Sequence, residues 1–181
     1  GIMLKNKKIL FAALGLLGAG LIFGYQAQSE AQASLRIGGR QSNFGQGQLN
    51  GGFMPDPSTV NIRSGGNLDT RSMNLGAGCR GHVTANPDYI LRYNRPAGFL
   101  RFYFRPNNQS APRNQRDTTL LINDARGRWH CNDDGGGNFN PMVDIANPPG
   151  GQYDVWVGTY DGSGQYVDGV LSITELRSNR P

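Results

Sequence analysis

Alternation of apolar and polar residues runs through the second half of the chain. It is clearest over 152–160. There Tyr153, Val155, Val157 and Thr159 fall on one side, and Asp154, Trp156 and Tyr160 fall on the other. A period of two is the signature of a β-strand. The stretch Phe99-Leu100-Arg101-Phe102-Tyr103-Phe104 has the same character. Short runs of this kind, separated by turn residues, predict strands near 59–63, 71–75, 79–84, 88–93, 98–104, 118–124, 128–131, 141–145, 152–160 and 165–175. Gly162-Ser163-Gly164 reads as a turn joining the last two strands into a hairpin. No window beyond residue 34 sustains a helical period. The expected fold is therefore all-β: an antiparallel β-sandwich of the jelly-roll or immunoglobulin-like kind over 58–176, with a short tail at 177–181.

The pattern before residue 58 is different. Lys5, Lys7 and Lys8 precede a charge-free apolar run over 9–24, and Ala31-Gln32-Ala33 follows as a small-x-small site. This predicts an N-terminal hydrophobic helix that serves as a secretory signal peptide over 1–33, cleaved before Ser34. The competing reading is an uncleaved membrane anchor, with Ile9, Leu14, Leu17, Leu21 and Phe23 in the bilayer. At about 16 residues the run is short against the roughly 20 that a spanning helix needs. Residues 34–57 are rich in Gly, Gln and Asn, and read as a flexible linker. The linker ends in an extended arm at Phe53-Met54-Pro55-Asp56-Pro57.

Charge changes the picture little. All three lysines lie in the leader, so the remainder carries fifteen arginines and twelve acids, a net charge of about +3. The arginines are scattered, which argues against nucleic acid as a partner. Arg92, Arg95, Arg101 and Arg105 form the best candidate for a basic face toward acidic polysaccharide or lipid headgroups; the alternative is a solvated face. Cys79 and Cys131 are the two cysteines of a chain with an export signal, and an even count in an oxidising compartment predicts a disulfide. Closing that loop is worth about 4 kcal/mol on the chain-entropy model. Two separate buried thiols are the other reading. With only His82 and His130 available, the spacing fits no common zinc site.

Candidate chemistry concentrates in Cys131-Asn132-Asp133-Asp134-Gly135-Gly136-Gly137-Asn138. Adjacent carboxylates on a glycine-rich loop call for a positive partner. Asn132, Asp133, Asp134 and Asn138, with Asp117 arriving from a strand end, have the oxygen donors and spacing that calcium accepts. A solvated turn built on Asx hydrogen bonding accounts for the same residues. No helices flank the loop, and it lacks the glutamate of an EF-hand. Catalytic patterns are weaker. Asp161-Gly162-Ser163-Gly164 has no flanking pattern for a nucleophile and is explained as a turn, and neighbouring carboxylates such as Asp133 and Asp134 are poorly placed to straddle a sugar. No enzymatic activity is expected. Trp156 and Trp129 have two readings each: a ring for a ligand or partner to stack on, or core packing against the disulfide.

Several blocks together carry a family resemblance: Asp117-Thr118-Thr119-Leu120-Leu121-Ile122; Gly127-Arg128-Trp129-His130-Cys131-Asn132-Asp133-Asp134; Asn140-Pro141; and 151–160. With Gly52-Phe53-Met54-Pro55-Asp56-Pro57, Ser64-Gly65-Gly66 and Cys79-Arg80-Gly81 upstream, residues 52–176 resemble bacterial exported β-sandwich proteins similar to the pre-peptidase C-terminal domain, cyanobacterial members in particular. The resemblance implies a non-catalytic accessory of the cell envelope or the extracellular space, in some cases stabilised by calcium. The expected function is a disulfide-linked, exported module that binds an envelope protein or polysaccharide. The alternative is an accessory subunit of a membrane complex. It would be held by an uncleaved helix, with the sandwich on the periplasmic or lumenal side.

Overall fold

The computed structural model describes residues 34–181; the expected leader over residues 1–33, with its five nominated membrane-facing residues, lies outside the described residues. Among the described residues no helix is long and apolar enough to cross a membrane. The fold is all-β, in two mostly antiparallel sheets. One sheet contains β1 (Gln46–Asn50), β3 (Leu68–Asp69), β4 (His82–Val83), β5 (Tyr89–Asn94), β7 (Thr118–Asn123), β8 (Trp129–Asn132) and β10 (Gly151–Thr159). The other runs in the order β2 (Ser58–Ser64), β11 (Val167–Thr174), β6 (Phe99–Pro106) and β9 (Met142–Ala146). In the larger sheet β10 is central. It pairs with β5 and β4 along one edge and with β7 along the other, and β8 follows β7.

The main core lies between the sheets. Leu91, Leu120, Ile122, Tyr153, Val155 and Val157 meet Leu100, Phe102, Phe104, Val143, Leu171 and Ile173 there. These are the alternating positions of each strand, and the inward face of β10 is the one that the period-two pattern gives. Trp156 points the other way and is also fully buried. It forms a second, smaller core with Cys79, Val83 and Leu121, with Leu35, Leu75 and Trp129 against it. A strand buried on both faces explains why glycine is needed at Gly158, where a Cβ would lie 3.0 Å from Val83 Cγ1 and 3.1 Å from the His82 carbonyl.

Four expectations meet a different structure. The strand expected at 71–75 is a 3-10 helix, Thr70–Met73, capped by the Asp69 side chain, which accepts from the Arg71 amide at 3.0 Å. The strand expected at 79–84 shortens to His82–Val83, because Gly81 stands at φ +125° just before it. The last two strands are not a hairpin: β10 and β11 belong to different sheets, and β11 pairs with β2 and β6. Finally, part of the linker is a strand. β1 joins β5 in parallel, in register from Gln46 opposite Ile90 to Asn50 opposite Asn94. Only Leu49 of β1 packs on the core, so backbone hydrogen bonding to an open sheet edge does what side-chain hydrophobicity does elsewhere.

Residues 34–45 lie along the same sheet. The Gly38 amide donates to Asp154 Oδ2 at 2.6 Å, Gln152 Nε2 donates to the Gly39 carbonyl at 2.9 Å, and the Phe44 amide donates to the Asp88 carbonyl at 2.8 Å. Asp88 ties this arm to the central strand: its carboxylate accepts from Asn43 Nδ2 at 2.8 Å and from the Val157 amide at 2.7 Å. Burial pushes the Asp88 carboxyl up to about 7, against the opposing pull of those two hydrogen bonds. Because the folded pKa exceeds the unfolded one, Asp88 contributes stability that is complete below about pH 4 and is lost as the pH rises through 7. Asp124, whose carboxyl is held below its ordinary value, titrates below this window with the opposite sign. Stability is expected to fall between about pH 4 and pH 7 in urea titrations, and Asp88→Asn is expected to flatten the profile. Equal pH sensitivity in the two proteins would contradict this assignment.

Candidate functional site

One end of the sandwich gathers most of the residues singled out for cation binding. The loop after β8 is tied into a turn by its own groups. Asn132 Oδ1 accepts from the amides of Gly135 (2.5 Å) and Met142 (3.1 Å), and the Gly137 amide donates to the Asp134 carbonyl (2.9 Å). Asn138 and Phe139 both stand in the left-handed region, at φ +54° and +61°. For a phenylalanine this is strained backbone that needs outside support. Arg116 supplies part of it, donating through Nη1 to both the backbone and side-chain oxygens of Asn138 at 2.6 Å. Gln109 adds more: its Oε1 accepts from the side-chain amides of Asn138 and Asn140, each at 3.1 Å.

Arginines from distant loops converge on this end. Arg113 and Arg116 each place a guanidinium 4.9 Å from the centroid of the Phe139 ring. Arg71, Arg113 and Arg80 surround the Tyr160 ring at 5.3, 5.6 and 6.0 Å. Such cation–π contacts are worth about 0.5–1 kcal/mol each at exposed positions. Arg113 Nε also donates to Asp117 Oδ2 at 2.7 Å. Asp117 is buried and its Oδ1 has no hydrogen-bond partner among the described residues. Burial pushes its carboxyl up, Arg113 pulls it down, and Asp134 and Asp161 push it up again. Arg80 approaches Asp133 at 4.0 Å.

This geometry bears on calcium. A calcium ion takes six to eight oxygens. Here Asn132 Oδ1, Asn138 Oδ1 and Asp117 Oδ2 already accept from protein donors, and guanidinium groups stand against Asp117 and beside Asp133. Among the described residues no group of three or more His, Cys, Asp or Glu side chains is placed to hold a metal ion. Arg80 brings positive charge to Asp133, and Arg113 brings it to Asp117. Sequence reading singled out the acids but missed Arg71, Arg80, Arg113, Arg116, Phe139 and Tyr160. Their spacing carries no motif, and only the fold brings them together.

Cys79 and Cys131 form a disulfide, with Cα atoms 4.9 Å apart. Trp129 and Trp156 lie with centroids 5.4 Å apart in the same small core, so both rings serve packing. The four-arginine face does not form. Arg101 is buried in a two-pronged ion pair with Asp144 (2.6 and 2.8 Å), and Arg92 lies in the other sheet. Elsewhere, His130 Nε2 lies 2.9 Å from Asp124 Oδ2, and the Ser163 hydroxyl donates to Asn67 Oδ1. Scans of protein-family models, curated proteins and solved structures return no match to this chain.

Proposed function

We propose that this chain is an exported, non-enzymatic binding module of the bacterial envelope, similar to the pre-peptidase C-terminal domain, which engages a protein or polymer partner. The observation that carries the reading is the Cys79–Cys131 disulfide. It is built into a core of its own with Trp156 and Trp129, in a chain that opens on a lysine-flanked apolar run and a small-x-small site. The absence of catalytic work is supported by the way the reactive groups are used. Asp88, the acid pushed closest to neutrality, is enclosed between an amide side chain and a backbone amide, and is not presented to a cleft. The apolar run over 9–24 favours a second arrangement, in which it stays in the bilayer and the sandwich serves a membrane complex as accessory subunit.

Fractionating the native cells tests this function. The reading expects the protein in the soluble envelope or extracellular fraction. Recovery with the membranes, together with co-purifying subunits, would support the anchored form, and recovery in the cytosol would contradict both. Calcium is dispensable in this account. Saturating calcium or a chelator is expected to leave the melting temperature of the wild-type chain unchanged, while Arg113→Ala lowers it because it strips the partner from buried Asp117. A calcium-dependent rise in melting temperature that Asp134→Ala abolishes would overturn this and restore the metal.

A further inference from the structure

The outer face of the smaller sheet carries a groove that borders the loop just described, since Pro181 in its lining packs against Gly136. Its floor is β6 and β11, where Tyr103 stands opposite Ser172 and Arg105 opposite Val170. One wall is the C-terminal tail. This tail is fastened across the sheet by Arg101, whose Nη1 donates to the carbonyls of Arg177 (2.8 Å) and Asn179 (2.9 Å). Asn179 in turn donates to the Thr174 hydroxyl at 3.0 Å. So held, the tail brings Arg180 to a groove of about 480 Å³ shared with Arg105, Asn107 and Ser172.

Three features of the groove point to one ligand chemistry. First, its lining holds two arginines against one anionic group, the carboxylate of Pro181 at the end of the described residues, and no Asp or Glu. Among the described residues Arg63, Arg80, Arg101, Arg113 and Arg128 are in ion pairs, and Arg105 and Arg180 are in none. The nearby Asp168 is taken by Arg63 at 2.8 Å. Second, Ser172 and Asn107 add a hydroxyl and an amide suited to ring hydroxyls, while Val170 and Tyr103 offer an apolar floor to the C–H face of a sugar. Third, the exposed large hydrophobic residues, Ile37, Phe44, Met54, Tyr166 and Leu176, all lie outside the lining, so the groove has nothing to insert into a bilayer. Planar guanidinium forks match planar carboxylates in a bidentate fashion.

We propose that this groove binds the carboxylate-bearing sugar units of an acidic polysaccharide, with Arg105 and Arg180 on the carboxylate. The site gives the exported-module reading a specific partner and rests on that reading only for where the polymer is met. The groove is open rather than enclosed, as a polymer passing through requires. The tail wall is held by Arg101, an arginine of the expected basic face that instead pairs with Asp144.

The test is calorimetric titration of the folded chain with oligogalacturonate at low salt. The same titration is run with a neutral oligosaccharide of equal length and with phosphatidylglycerol vesicles. Arg105→Gln and Arg180→Gln are each expected to weaken oligogalacturonate binding about ten- to a hundredfold, the loss of a charge-assisted hydrogen bond. Arg92→Gln, an exposed arginine of the other sheet, should leave it unchanged, and melting curves confirm that all three variants fold. Several outcomes would overturn the proposal: no binding of oligogalacturonate, equal binding of the neutral oligomer, vesicle binding alone, or equal weakening by Arg92→Gln. None of these touches the compartment reading, which cell fractionation decides separately.

Discussion

Replacing Cys79 and Cys131 together by alanine is expected to lower stability by about 4 kcal/mol, which for a domain of this size moves the melting temperature down by about 10 °C. The bond spans a sequence separation of 52, and most of its effect comes from restricting the unfolded chain. Cross-linking matters here because the second core is small. Four buried residues and a few half-buried neighbours cover the outer face of the large sheet, and the disulfide ties the segment before β4 to β8 there. Denaturant titrations of the double variant, and of the wild type with and without reductant, check the figure. A loss below about 1 kcal/mol would mean that packing alone secures the segment.

Trp156→Ala is the other large effect, a loss of about 3–5 kcal/mol, because it removes the largest fully buried side chain and leaves a cavity beside the disulfide. Trp156→Phe is expected to cost much less. The indole Nε1 is buried without a hydrogen-bond partner among the described residues, so phenylalanine removes an unsatisfied donor along with some volume. Because Trp156 and the disulfide share one cluster, alanine at all three positions should destabilise by an amount different from the sum of the separate losses. A Trp156→Phe loss equal to that of Trp156→Ala would contradict this account of the second core. Chemical denaturation of the single and combined variants supplies all the numbers.

The strands read most clearly in the sequence are those whose side chains alone specify them. β6 and β10 are rich in β-branched or aromatic residues, and the inward face of β10 is the one its alternation gives. β1 was not legible. Gln46, Gln48 and Asn50 point outward, and the strand exists because the arm finds the open edge of β5. The apparent hairpin at Gly162-Ser163-Gly164 misled for a related reason. A turn sequence says that the chain bends, not which sheet it rejoins, and β11 finds its partners in sequence-distant β2 and β6. Thr70–Met73 has no sustained alternation, and Asp69 caps it as a helix.

Legibility of the candidate site followed the same division. Asp133 and Asp134 announced a need for positive charge, and that much was local. The arginine that approaches Asp133 is not local: Arg80 lies far upstream in the sequence. A sequence shows that charges must be balanced and leaves open whether a metal or a side chain balances them. The arginine face failed for the same reason in reverse. Arg101 and Arg105 share strand parity, but β9 brings Asp144 beside Arg101 alone and leaves Arg105 free for the groove.

The most direct test of the central claim, a disulfide-linked module made for an oxidising compartment, is the intact mass of the native protein alkylated at isolation without reductant. The account predicts a chain that begins at Ser34, takes up no alkylating agent, and is lighter than the dithiol by the hydrogens of one disulfide. A chain that still carries its leader and is alkylated at both Cys79 and Cys131 would contradict it.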